Sequence, residues 1–266
     1  MIVCRSQSLR SPASMAYAGA GTYSKDHADV FSFTANQAAL ALLDNSQAGM
    51  YSERKFLLRA LSVHQLALAF ITRSGNIGIK TVYSGFSGYI ETQAGVAFAR
   101  KLGRKADAGI QFNYNAISVA GYGTASALTA ELGALFHITD ELHTGIHINN
   151  PVGGKFGVKR QEKIPFVYTL GLGYEPSEDF FASVEIIKEE SQSVDVNAGI
   201  QYRFARQLLV RAGVESNVSA VWMGAGVLWK AFRVDVSATF HSQLGISPGL
   251  LFLYQFKKKE EREADE

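Results

Sequence analysis

The sequence predicts an all-β chain: a transmembrane antiparallel up-and-down β-barrel of about fourteen strands, preceded by a short N-terminal plug segment. Three observations predict it. Stretches of about ten residues alternate between apolar and polar side chains through most of the chain. Aromatic residues recur at one end of successive stretches. No segment is apolar for long enough to make a spanning helix.

The alternation is plainest in "VDVNAGIQYRF", residues 194–204. Val194, Val196, Ala198, Ile200, Tyr202 and Phe204 fall on one side, and Asp195, Asn197, Gly199, Gln201 and Arg203 on the other. Period-2 alternation is the mark of a strand with one dry and one wet face. A soluble sandwich buries the dry face, whereas a membrane barrel turns it to lipid. The longest run without a clearly polar residue, "AVWMGAGVLW" (Ala220–Trp229), is half of the ~20 residues a membrane helix needs.

Composition agrees with many strands joined by turns. The chain of 266 residues has 25 Gly, only 5 Pro and 11% aromatic residues. A net charge of +2 gives no electrostatic support for a nucleic-acid partner. The single cysteine, Cys4, excludes an internal disulfide and any multi-cysteine metal site.

The predicted strands cover 47–53, 63–72, 76–84, 91–101, 105–115, 125–138, 142–149, 164–174, 180–187, 194–204, 208–216, 219–229, 232–241 and 247–256. Short connections such as "RSGN" (73–76), "LGRK" (102–105), "EPSED" (175–179) and "ARQ" (205–207) carry turn residues. Longer ones include "AISVAGYGTAS" (116–126) and "NNPVGGKFGVKRQEKIP" (149–165). Alternating short and long links are the asymmetry of an outer-membrane barrel, with short turns on the periplasmic side.

Aromatics close the strands that enter short turns: Phe70, Phe98, Phe136, Tyr174, Phe204 and Trp229, with Phe256 at the end of the last strand. Rings at one height form an interfacial girdle, which favours lipid outside. The opposite phase is then the lumen. It carries Glu131, His147, Glu185, Asp195, Arg211, Arg233 and Asp235, together with a run of glycines suited to a crowded interior.

Before the barrel, residues 11–46 are rich in small side chains and do not alternate. "TANQAALALLD" offers a short helix, with Thr34 and Gln37 spaced as a capping box. The predicted organisation is a residual leader or disordered start at 1–10, a plug at 11–46, the barrel at 47–256 and a charged periplasmic tail at 257–266. The opening residues lack a full secretory signal, which fits either a cytoplasmic protein or a late start assignment. The downstream pattern favours the late start and a bacterial outer-membrane location.

No catalytic or metal site is expected, and no cofactor. His137, His143 and His147 share the lumen phase with Glu131, but His143 and His147 are about 13 Å apart along a strand, so hydrogen-bonded histidines are expected in place of a metal site. Asp195, Arg211, Glu215, Arg233, Asp235 and Glu185 form a mixed-charge set that reads as a paired network filling and rigidifying the lumen, the alternative being that it orients a ligand headgroup or contacts the plug. There is no G-x-S-x-G elbow and no H-E-x-x-H pair. An outer-membrane hydrolase would need a Ser–His pair on the lipid-facing phase, and His64 and His241 both read as off that phase.

Fourteen strands behind a small-residue segment resemble the FadL-like outer-membrane barrels. The stretch "SMAYAGAGTYSKDHADVFSFTANQAALALL" and the following "YSERKFLL" look closer to the PorV/PorQ-type barrels associated with type IX secretion. Asn36, Ala38 and Leu40 fit that family's Asn-Pro-Ala-x-Leu segment, and Gln37 replaces the proline. The resemblance implies a plugged, non-enzymatic barrel that assists protein secretion or surface attachment. Its partners would be outer-membrane lipid, the barrel-assembly machinery and secretion-system or surface proteins meeting loop 149–165. The alternative it implies is a FadL-like transporter or channel for a small hydrophobic compound, with Asn36 and Arg211 gating or holding the ligand.

Overall fold

The computed structural model describes residues 17–156, 162–190, 192–216 and 219–256. The leader expected at 1–10, the first six plug residues and the tail expected at 257–266 lie outside the described residues. Among the described residues, no helix is long and apolar enough to cross a membrane.

Fourteen antiparallel strands close into a barrel. They are β1 (Gln47–Arg54), β2 (Ser62–Phe70), β3 (Asn76–Phe86), β4 (Tyr89–Lys101), β5 (Ala106–Val119), β6 (Gly123–His137), β7 (Leu142–Asn149), β10 (Val167–Ser177), β11 (Phe180–Glu189), β12 (Val194–Phe204), β13 (Leu208–Glu215), β14 (Ala220–Trp229), β15 (Phe232–His241) and β16 (Gly245–Gln255). Each pairs with its neighbours in sequence, and β1 pairs with β16, from Gln47 opposite Gln255 to Glu53 opposite Gly249. Closure matters because an unpaired edge cannot be satisfied in hydrocarbon. Two short strands, β8 (Lys155–Phe156) and β9 (Glu162–Lys163), form a separate small hairpin between β7 and β10.

The apolar phase faces outward. Val196, Ile200, Tyr202 and Phe204 of β12 are all exposed, as are Val96, Leu132, Val234 and Val236. Phe70, Phe98, Phe136, Tyr174, Phe204, Trp229 and Phe256 project outward from the short-turn end of the wall or just beyond it, each more than two-fifths exposed. An outside of this kind matches a membrane barrel and no soluble sandwich.

Two expectations about the connections need correction. Residues 116–126 are not a loop: β5 and β6 run on into that stretch and meet through residues 120–122. Side chains there keep alternating, so the hydrogen-bonded ladder continues from Ala116 opposite Ser126 to Val119 opposite Gly123. Of the seven connections on that side, only 55–61 and 150–166 exceed four residues. The link between β12 and β13 turns with positive φ at Ala205 (47°) and Arg206 (61°). Ala205 and Arg206 are the central residues of a turn closed by Gln207 N donating to Phe204 O at 3.1 Å, a geometry that takes positive φ even without glycine.

The lumen is not uniformly polar either. Along β16 and β1–β4, Leu251, Leu253, Ala67, Ala69, Ala97 and Ala99 point inward and pack on Val30, Phe31, Phe33 and Leu40 of the N-terminal segment. One side of the interior is therefore a dry core, and the charged and amide side chains gather on the other strands. The alternation hides this, because β2 carries Leu66 and Leu68 on one phase and Ala67 and Ala69 on the other, and β4 has alanine on both, so no polar marker is left.

Candidate functional site in the plugged lumen

Residues 17–46 run through the barrel interior and touch the wall on every side. They fold as short 3-10 turns at Ala18–Gly21, Ser32–Thr34 and Gln37–Leu42. The capping box expected between Thr34 and Gln37 does not form. Asn36 is the N-cap, accepting from Ala38 N at 3.0 Å, while the Thr34 hydroxyl donates back to Phe31 O at 2.7 Å.

Inward glycines make the close approach possible. A Cβ on Gly109 would lie 2.5 Å from the Gln37 carbonyl carbon, and one on Gly171 would lie 2.0 Å from the Tyr23 ring. Side chains at these positions would push the segment off the wall.

Side chains then fasten the segment at three carboxylates. The first is Glu131 on β6, 2% exposed. It accepts from Gln37 Nε2 (2.5 Å), Asn113 Nδ2 (2.6 Å), Gln111 Nε2 (3.1 Å) and His147 Nε2 (2.9 Å). Lys80 Nζ lies 3.4 Å away and is equally buried. A buried carboxylate is tolerable only with such a ring of donors and a counter-ion. Lys80 escaped the sequence reading although it is the lone cation on the inward phase of β3.

The second is Asp29, in the segment itself. Its Oδ2 lies 3.5 Å from Arg211 Nη2 and 3.0 Å from Arg233 Nη1. Arg233 Nε also meets Asp235 at 3.0 Å. Arg211 donates to Gln201 Oε1 (2.6 Å) and to the Tyr17 carbonyl (2.9 Å) and stacks over the Tyr17 ring. Asp29 was not expected, because it falls where the sequence does not alternate.

The third is Glu175 at the end of β10. It accepts from the Ser24 hydroxyl, from Lys25 N at 2.9 Å and from His143 Nε2 at 2.5 Å. Behind it His143 Nδ1 meets His137 Nδ1 at 3.0 Å, and His137 Nε2 meets Asp107 at 2.7 Å. Glu175 had been read only as part of a turn. Beside this contact, burial and the Arg203 charge push the His27 imidazole of the segment down to about 4. Asn76 Nδ2 closes the set, donating to Leu40 O at 2.8 Å and Leu43 O at 3.0 Å. Asn36 Nδ2 reaches Ala134 O and Ile146 O.

The expected single network of Asp195, Arg211, Glu215, Arg233, Asp235 and Glu185 is divided. The basic residues and Asp235 join Asp29. Asp195 and Glu215 sit nearer the opposite mouth, where Asp195 accepts from Ser216 Oγ at 2.8 Å. The reason is that Asp29 enters from the segment and captures both guanidinium groups.

His64 is a further correction. It lies on the outward phase of β2, exposed, with Nδ1 2.9 Å from Ser52 Oγ on β1. The misreading came from β2, where Val63, Ala67 and Ala69 are the inward residues and sequence alone assigns the apolar side to lipid.

No family model matches the chain, and no curated protein matches it. Solved structures do. The CymD monoaromatic hydrocarbon channel is 13% identical with a TM-score of 0.69, over 93% of this chain and 97% of that one. The Pseudomonas putida toluene transporter TodX is 13% identical with a TM-score of 0.64, over 91% and 98%. A Pseudomonas aeruginosa FadL homologue is 13% identical with a TM-score of 0.61, over 94% and 100%. At this identity the likeness is one of fold: the structural neighbours of this closed, internally filled barrel are FadL-like hydrocarbon channels.

Proposed function

We propose that this chain is a bacterial outer-membrane barrel that passes a small hydrophobic compound across the membrane. The observation that carries the reading is the seating of residues 17–46: the segment fills the lumen yet is held by side-chain hydrogen bonds and ion pairs. Such contacts make a closed conduit whose filling can shift, whereas a wall of strands alone would be an open pore. The fold shared with hydrocarbon channels supports the same reading. Outer-membrane lipid around the apolar face and the barrel-assembly machinery are the partners it entails.

A secretion scaffold of the PorV/PorQ type rests on the N-terminal resemblance alone. Of its expected docking loop, 149–165, the described residues Phe156 and Ile164 are buried against Ala127. Transport is therefore the better supported of the two.

Uptake of a labelled monoaromatic compound by cells with intact lipopolysaccharide tests the proposal. Cells producing the barrel should accumulate the compound faster than vector controls. Equal rates, with the barrel folded in the outer membrane, would reject it.

A further inference from the structure

The short-turn rim of the barrel sorts its charges by sector. Around the turns 71–75 (β2 to β3) and 102–105 (β4 to β5), Arg73, Arg100, Lys101, Arg104 and Lys105 are all exposed. Lys101 meets Asp44 at 3.7 Å. Among the described residues, the other four form no ion pair. Asp107, beside them on β5, is buried and bound to His137. The next two turns carry the opposite sign, with Asp140, Glu141, Glu178 and Asp179 exposed.

The ladders set the depth of this basic sector. Phe70 and Phe98 both stand opposite Ile77, giving a lateral row of exposed apolar side chains on the outward face. Arg100 lies two residues beyond Phe98 on the same outward phase, about 7 Å further along the strand. An interfacial ring has acyl chains on one side and headgroups on the other, so Arg100 falls at headgroup depth. The turns bearing Arg73 and Arg104 flank the β3–β4 pair at the same end. Guanidinium forks match the oxygens of a phosphate. A zwitterionic headgroup adds an ammonium, which needs acceptors, and Asp44 is already beside Lys101.

We propose that this sector binds the phosphate of an anionic phospholipid in the periplasmic leaflet, with Phe70, Ile77 and Phe98 against its acyl chains. This rests on the outer-membrane placement, with the short turns towards the periplasm, and is independent of what the lumen passes. The acidic turns next to it repel the same headgroup. Anionic lipid therefore gathers on one arc of the wall and is not spread evenly around it.

Native mass spectrometry of the full chain tests it, with phosphatidylglycerol and phosphatidylethanolamine of identical acyl chains supplied at equal concentration. The native chain should retain phosphatidylglycerol over phosphatidylethanolamine by about tenfold or more. Arg73→Gln, Arg100→Gln, Arg104→Gln and Lys105→Gln in one chain should abolish that preference. Arg206→Gln with Lys230→Gln, which removes cations of other turns, should keep it. Heat-modifiable gel mobility verifies that both variants are folded, and the comparison of lipids on the native chain needs no variant. Glycerol phosphate, which has the phosphate without the acyl chains, should not displace the lipid at equal concentration. The proposal is overturned by equal retention of the two lipids, by a preference that survives the fourfold variant, by equal loss in the control variant or by displacement with glycerol phosphate. Uptake of the labelled compound reads the transport function separately, whichever way the lipid result falls.

Discussion

Gln37 Nε2 donates to Glu131 Oε2 across 2.5 Å, tying the inner segment to the barrel wall through two side chains that are almost wholly buried. A glutamine amide brings a side-chain donor that an apolar residue at this position would not.

Gln37→Leu removes that bond and leaves Glu131 with its other donors. A lost bond to a charged group is worth about 1.5–3 kcal/mol. Amide exchange over residues 36–42 should speed up by about tenfold or more, while the strands keep their protection. Unchanged exchange would mean that the bond does not hold the segment.

Glu131→Gln should be more harmful, because Lys80 then stays buried without its counter-ion. Breaking a buried pair from one side is expected to cost about 3–5 kcal/mol. Adding Lys80→Met to Glu131→Gln should recover part of the loss. Urea unfolding in lipid vesicles reads both, and additive effects would sever the link between the two residues.

Gly171→Val places side-chain atoms inside the Tyr23 ring, since even a Cβ would lie 2.0 Å from it. The segment should lift near Ser24–Asp26 and become sensitive to protease. Tyr23→Ala in the same chain should reseat it. Protection that survives Gly171→Val alone would contradict the close approach.

His27 is held neutral by burial, with its pKa lowered from 6.5 to about 4. A depressed imidazole favours the seated segment above pH 6.5, and that contribution is lost as pH falls from 6.5 towards 4. Exchange of residues 24–30 should therefore rise across that window and flatten in His27→Gln. A flat profile in the native chain would show that His27 does not sense pH.

Ser52 and His64 satisfy one another on the lipid-facing wall. Ser52→Ala should destabilise the barrel by about 1 kcal/mol, and Ser52→Ala with His64→Leu should restore it. Vesicle unfolding measures this, and an unrestored double variant would assign the pair another role.

The strands were legible because lipid and lumen impose opposite polarity on alternate residues. That gave β12 as residues 194–204 from its letters alone, and it put Trp229 and Phe204 on the outward face. A one-residue slip would have put every charge of β12 in hydrocarbon. Tyr174, Glu131 and Arg211 were read on their proper faces for the same reason.

Contacts between distant parts of the chain were not legible. Asp29, Ser24 and Gln37 lie in a segment without period, so no local pattern says which strand each will meet. Arg211 waits 182 residues away from Asp29, and Glu175 waits 151 away from Ser24. Periodicity reports only which side of a surface a residue occupies. Which partner fills a lumen position depends on the path of the inner segment, and closing the barrel decides that path.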